Sequence, residues 1–165
     1  MSTFLDSGKL TDGMLELVLA ETHPGDLGSG CVLDHEFHMR LAGQNQEVGR
    51  VVLRVGNTDH IVRYAGHLGY RVAPEHRGHR YAARACRLLL PLARSLGLET
   101  LWITCDPDNA ASRRTCELAG ARLVEIVDLP EDTDMYQRGE RQKCRYRLQV
   151  PESAEGPTYG AGLQP

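Results

Sequence analysis

Apolar and polar residues alternate through most of the first half of the chain, the two-residue period of half-buried strands. Leu15-Glu16-Leu17-Val18-Leu19 alternates around Glu16, bounded by Gly13 and the breaker His23-Pro24-Gly25. Asp34 to Ala42 alternates again and ends at Gly43. Glu47 to Val55 sets apolar side chains beside Arg50 and Arg54, then meets Gly56-Asn57-Thr58-Asp59. That turn and the following Ile61-Val62-Arg63-Tyr64 predict a hairpin. His67 to Val72 continues extended and stops at Ala73-Pro74.

The period then changes. Tyr81, Ala85, Leu88, Leu92 and Leu96 recur at helical spacing, with Ala82 and Leu89 widening the stripe, so a helix is expected over 81–96. Pro91 should kink or divide it, and Gly97 should stop it. A buried strand is expected at Leu101–Cys105, a short helix up to Ala119 closed by Gly120, and strands at Arg122–Leu129 and Lys143–Val150. The order βββ(β)–α–β–α–β–β describes a mixed α/β (α+β) domain on a curved sheet. Residues 1–150 read as one domain. Residues 151–165 hold three Pro and three Gly with few large apolar residues, the composition of a flexible tail.

Composition narrows the class. Nineteen Lys plus Arg against 22 Asp plus Glu give a net charge of −3, against a generally basic nucleic-acid binder. Hydrophobic residues make up 41%, enough for a core without covalent staples. The five cysteines (31, 86, 105, 116, 144) are scattered, with no CxxC pair, which fits a reducing cytosol. Neither a basic-then-apolar leader nor a membrane-length apolar run is visible, so a soluble cytoplasmic protein is expected.

Between positions 71 and 94 the charge balance inverts: six Arg (71, 77, 80, 84, 87, 94) stand against Glu75 alone. They surround a strand, a glycine-containing loop and a helix start. Unpaired N–H groups and the helix dipole make such a place receptive to an anion. No GxxxxGK[ST] loop is present, and no GxGxxG follows the first strand. His76 and His79 have H-x-x-H spacing but no further ligand in register, so no metal site is expected.

Arg77-Gly78-His79-Arg80-Tyr81-Ala82 resembles the (Q/R)-x-x-G-x-(G/A) acetyl-CoA pyrophosphate loop of the GNAT N-acetyltransferases. Asn109-Ala110-Ala111-Ser112, followed by Ala119-Gly120-Ala121, resembles that superfamily's N-x-x-S…G-F segment. The N-x-x-S form, and Leu68-Gly69-Tyr70 beside Pro74-Glu75-His76-Arg77-Gly78, are similar to its ribosomal-protein alanine acetyltransferase branch. The resemblance implies a curved, mostly antiparallel sheet splayed at its central strands and flanked by helices. It also implies acetyl-CoA as co-substrate and an amine acceptor that the sequence does not identify. Backbone groups of Tyr70, Val72 and Thr104 would pair with the pantetheine arm, and a backbone N–H near Val72 would polarise the thioester oxygen. Amides of Gly78, His79, Arg80, Tyr81, Ala82 and Ala83, beside Arg77, would hold the pyrophosphate, and Asn109 would sit against the arm. A homodimer is common in the superfamily; the residues themselves do not decide it.

The chain departs from the family pattern at four places. Arg80 stands where Gly is usual. Cys116 occupies the position of a frequent acid tyrosine, leaving Cys116 and Ser112 as candidate proton donors to the departing thiolate. The strand before the loop has no carboxylate, so His67 is the expected general base. The connection from His23 to Leu33 is short and Gly-rich where two helices are usual, which leaves the acceptor cleft open or completed by another subunit or the loop 129–142. Glu131, Asp132 and Asp134 in that loop could attract a cationic amine. Two activities follow: N-acyl transfer by direct attack in a ternary complex, or a non-catalytic acyl-CoA-binding or partner-binding module.

Overall fold

A computed structural model describes residues 10–26 and 28–152. Among these residues eight strands form two sheets. The first has the order β1-β2-β3-β4-β5, made of β1 (Leu10–Thr11), β2 (Leu15–His23), β3 (Leu33–Leu41), β4 (Glu47–Val55) and β5 (Leu68–Val72). All its pairings are antiparallel. The second has the order β6-β8-β7, from β6 (Thr100–Cys105), β7 (Arg122–Asp128) and β8 (Gln142–Gln149), again antiparallel. The residues expected as a tail lie outside the described ones, apart from Pro151 and Glu152.

Alternation sets the faces. Phe37 and Met39 on β3, Val51 and Leu53 on β4, and Leu15 and Leu17 on β2 point inward, and Ala85, Cys86 and Leu89 of the helical segment close the core from that side. From the second sheet, Leu101, Ile103 and Tyr146 join the same cluster. The helical stripe is divided as expected: α1 spans Tyr81–Leu88 and α2 Leu90–Ser95, with Pro91 in the first turn of α2, where its missing N–H costs nothing. Helix α3 (Ala110–Ala119) begins at Asn109, whose side chain accepts from the Ser112 N–H, and ends at left-handed Gly120.

One element differs from the sequence reading. Ile61–Ala65, β-branched enough to suggest a strand, forms a π-helical turn instead. Its carbonyls are taken by side chains from distant strands: Val62 O by Arg145, Tyr64 O by Thr104, and Ala65 O by Arg54. A ladder would compete for those acceptors, and the side chains win. Three elements were not foreseen or were too short: β1, the turn at Pro74–His76, and helix α4 (Asp134–Gln137), capped by Thr133. Among the described residues no helix occupies 24–32; that stretch closes through a bridge between Asp26 and Cys31.

Candidate active site

The two sheets meet edge to edge at β5 and β6, and their backbone contact is confined to one end. His67 N donates to Trp102 O at 2.7 Å, and the Trp102 N–H is accepted by His67 Nδ1 at 2.9 Å. Gly66 makes this approach feasible: its φ is +80°, and a Cβ there would lie 2.9 Å from Trp102 O. Beyond the junction β5 and β6 share no ladder, so the sheet is split between them. Ala73 N bonds back to Val48 on β4. By strand alternation, the backbone groups of Tyr70 and Val72 then face the split. The Trp102 backbone faces β5, and the same period turns that of Thr104 toward the split, while the Thr104 hydroxyl is spent on Tyr64 O at 2.7 Å.

At the C-terminal end of β5 the chain turns through Pro74–His76 into the loop. Arg77 Nε donates to Val72 O at 3.0 Å, folding the loop back on the strand end. Gly78 has φ +93° and nothing within 4 Å of where a Cβ would be, so the loop surface there is open. Arg80 has φ +65°, the single positive-φ non-glycine among the described residues, and its side chain is exposed. This explains why glycine is usual there: the position needs the left-handed conformation, and arginine adopts it at a cost of about 1 kcal/mol. The first helical bond is Arg84 N to Arg80 O, and the amides of Gly78, His79, Arg80, Tyr81, Ala82 and Ala83 make no hydrogen bond among the described residues. Ala82 and Ala83 are buried, and the His79 and Tyr81 rings stack 5.2 Å apart at the helix start. Free amides at a helix start, an open glycine and a split sheet suit a long ligand with a diphosphate and a strand-like arm.

On the inner side, Tyr70 reaches under α3. Its hydroxyl lies 2.8 Å from Ser112 Oγ and 3.8 Å from Cys116 Sγ. Burial pushes the Tyr70 phenol above its ordinary range, so it keeps its proton. The neighbouring Cys105 thiol and burial raise Cys116 as well. Cys116 is a packed thiol, 0% exposed, whereas Ser112 is half-buried. Asn109 spends its side-chain oxygen on the Ser112 N–H, which orients the first turn of α3.

His67 departs from its expected role. It is 0% exposed; Nε2 lies 3.0 Å from Gly56 O and 2.9 Å from Asn57 Oδ1, while Nδ1 accepts from Trp102. With Nδ1 an acceptor, Nε2 carries the hydrogen. Burial, helped by the Arg54 charge, holds its pKa below the usual histidine value. A neutral imidazole with both nitrogens engaged has no lone pair for an ammonium proton. It joins the two sheets instead. Arg54 and Arg145 complete this side: Arg54 donates to Ala65 O and Gly66 O, and Arg145 stacks on Trp102 at 4.1 Å while bonding Val62 O and the Glu125 carboxylate. Neither arginine was singled out in the sequence, because their partners lie on other elements and no local spacing marks them.

The family model of the GNAT acetyltransferase domain matches residues 22–122, which include the split, the loop and α3. The chain belongs to the GNAT acetyltransferase family. Solved GNAT structures share its fold. A Bacillus anthracis GNAT-family acetyltransferase is 22% identical, with TM-score 0.54, covering 70% of this chain and 66% of its own. The microcin C7 self-immunity acetyltransferase MccE, in complex with acetyl-CoA and AMP, is 14% identical, with TM-score 0.56 and coverages of 71% and 61%. This chain thus spans just under two thirds of both. A ribosomal L7/L12 alpha-N-protein acetyltransferase, RimL, in complex with coenzyme A is 12% identical, with TM-score 0.63, covering 88% of this chain and 100% of its own. A comparison with curated protein sequences found no match. The Arg80 and Cys116 departures are therefore variations within a GNAT fold.

Proposed function

We propose that the protein transfers an acetyl group from acetyl-CoA to a primary amine by direct attack, with both substrates bound together. The observation that carries this is the split between β5 and β6, which leads to a loop whose amides make no hydrogen bond among the described residues. Acetyl-CoA supplies an activated thioester when bound. The chain's residues do the rest. Amides 78–83 and Arg77 hold the diphosphate, and the backbone of Tyr70, Val72 and Thr104 lines up the arm. The Val72 N–H polarises the thioester oxygen, a large effect because the donor is already fixed.

In the transfer, the ammonium first gives one proton to solvent; the neutral nitrogen then bonds to the acyl carbon, the carbon–sulfur bond breaks, the nitrogen releases a second proton to solvent and the sulfur gains one. Ser112, half-buried and held by Tyr70, supplies the proton to sulfur and is replenished from solvent. Tyr70 keeps its own proton and serves as a positioning residue, and Cys116 packs beneath both. His67 holds the split at its closed end and takes no proton from the amine. The acceptor enters over the first sheet beside residues 24–32, where no helix lies among the described residues. Five free cysteines support a reducing, cytoplasmic setting.

A coupled thiol-release assay with acetyl-CoA across peptides with free amino termini, lysine, polyamines, aminoglycosides and amino acids tests the reading, after calorimetry has established cofactor binding. Turnover with one acceptor class supports it. Acetyl-CoA bound but consumed with none of them would make the protein a binding module, and no binding at all would remove both readings.

A further inference from the structure

Six arginines stand between positions 71 and 94, and the fold engages most of them. Arg77 bonds Val72 O, Arg84 pairs with Asp12 at 2.6 Å, Arg87 bonds Ala119 O and Arg94 bonds Pro151 O. Arg80 stands on the loop before α1. Arg71 is left: it is exposed, and its side chain makes no hydrogen bond or ion pair among the described residues. It alternates with Tyr70, which reaches under α3, so it leaves β5 on the opposite face. There it lines a cleft of about 370 Å³ with Glu47, Val48, Gly49, Arg50 and Ala73. Gly49 adds no side chain to the cleft, because β4 runs so close to β5 that a Cβ would strike Arg71 O. The other charges of the cleft are already matched. Arg50 bonds Glu36 at 2.9 Å and Glu47 at 3.3 Å, and Glu47 also lies 3.4 Å from His38 Nδ1.

We propose that Arg71 selects the acceptor, and that the acceptor is a small amino acid whose carboxylate Arg71 binds while its amine reaches the acyl carbon. The inference rests on the acetyl-transfer reading above. Arg71 and Val72 are consecutive, so a carboxylate held by the first sets an amine a few bonds away beside the thioester held by the second. A guanidinium fork matches a carboxylate with two parallel hydrogen bonds. A phosphate dianion would call for a second uncommitted cation, and Arg50 is already held by its two glutamates. A polyamine or an aminoglycoside would set like charge against Arg71.

Thiol release with the full chain, run on the common amino acids, their carboxamides and their decarboxylated amines, tests this. With the wild type, kcat/KM for the best amino acid should exceed that for its carboxamide and its amine about tenfold or more. Arg71→Gln should raise KM for that amino acid about tenfold or more and bring the acid-to-amide ratio near one. Arg71→Lys should keep part of the preference, since the charge stays and the fork is lost. Acetyl-CoA affinity by calorimetry, the same in both variants as in the wild type, shows that they are folded and that Arg71 serves the acceptor rather than the cofactor. Equal use of acid and amide by the wild type overturns the proposal and leaves the transfer reading standing. So does turnover confined to amines without a carboxylate, or an Arg71→Gln variant that keeps the wild-type preference. Acetyl-CoA bound with no amine consumed overturns both.

Discussion

The two walls of the split are built in different ways. The β5 wall continues directly through the loop into α1, so its groups are neighbours in sequence and their geometry follows from local rules: a glycine turn, a left-handed residue, a helix start. The β6 wall is assembled from a distance. Trp102, Thr104 and the π-turn are held by His67, Arg54 and Arg145, which lie far apart along the chain. Contiguous walls tolerate substitution at single positions because each backbone amide acts for itself. Assembled walls fail together, since each clamp holds the acceptors of another.

The largest expected effect strikes the assembled wall. Gly66→Val puts a branched side chain at φ +80° and within reach of Trp102 O. It should cost about 4 kcal/mol or more, read by denaturant unfolding. A loss under 1 kcal/mol would mean the walls do not need this approach. His67→Ala strips Trp102 N–H of its acceptor and should cost about 2–3 kcal/mol. It should lower acetyl-CoA affinity while leaving the shape of the pH–rate profile unchanged; a profile that loses a limb near neutral pH would restore His67 as the base.

Acid provides a gentler version of the same break. Burial holds the folded-state pKa of His67 below that of the unfolded chain, about 6.5. Below that pH the unfolded state binds the extra proton first, so stability, full above about pH 6.5, falls as the pH drops toward the folded value. Buried His35, also shifted down by burial, contributes in the same sense. The difference between wild type and His67→Ala therefore isolates His67, and a pH-independent difference would show that it does not titrate on unfolding.

The contiguous wall and its donor should respond more selectively. Ser112→Ala should lower kcat about 10- to 100-fold with KM for acetyl-CoA nearly constant, and Tyr70→Phe less, because it loses orientation of the serine and no proton donor. A raised KM for acetyl-CoA with kcat unchanged would assign Ser112 to binding. The smallest effect belongs to Arg80→Gly: relief of the left-handed strain should offset the added chain entropy and raise stability by up to about 1 kcal/mol, with acetyl-CoA affinity falling only a few-fold. A thermal shift combined with calorimetry would separate the two.

The same contrast explains what the sequence disclosed. The α1–α2 break at Pro91 and the Gly120 stop were legible because each is written within a few residues. The loop was read as an anion site because its charges cluster. The π-turn was read as a strand because Ile61-Val62-Arg63-Tyr64 has strand composition, while the side chains that capture its carbonyls lie at 54, 104 and 145. His67 looked like a base from its type and place on a strand. Its neutral tautomer is fixed by Asn57, Gly56 and Trp102, partners that only the folded chain brings together.

The closed end of the split has a mechanical consequence. Two plates whose facing edges β5 and β6, among the described residues, share one main-chain bond and one imidazole contact behave as a sprung clip, and whatever lies between the jaws also bears the load across them. Loading such a clip stiffens both plates at once, so deuterium uptake on β5 and on β6 should slow in concert, with the Trp102 amide as the gauge of how often the clip opens.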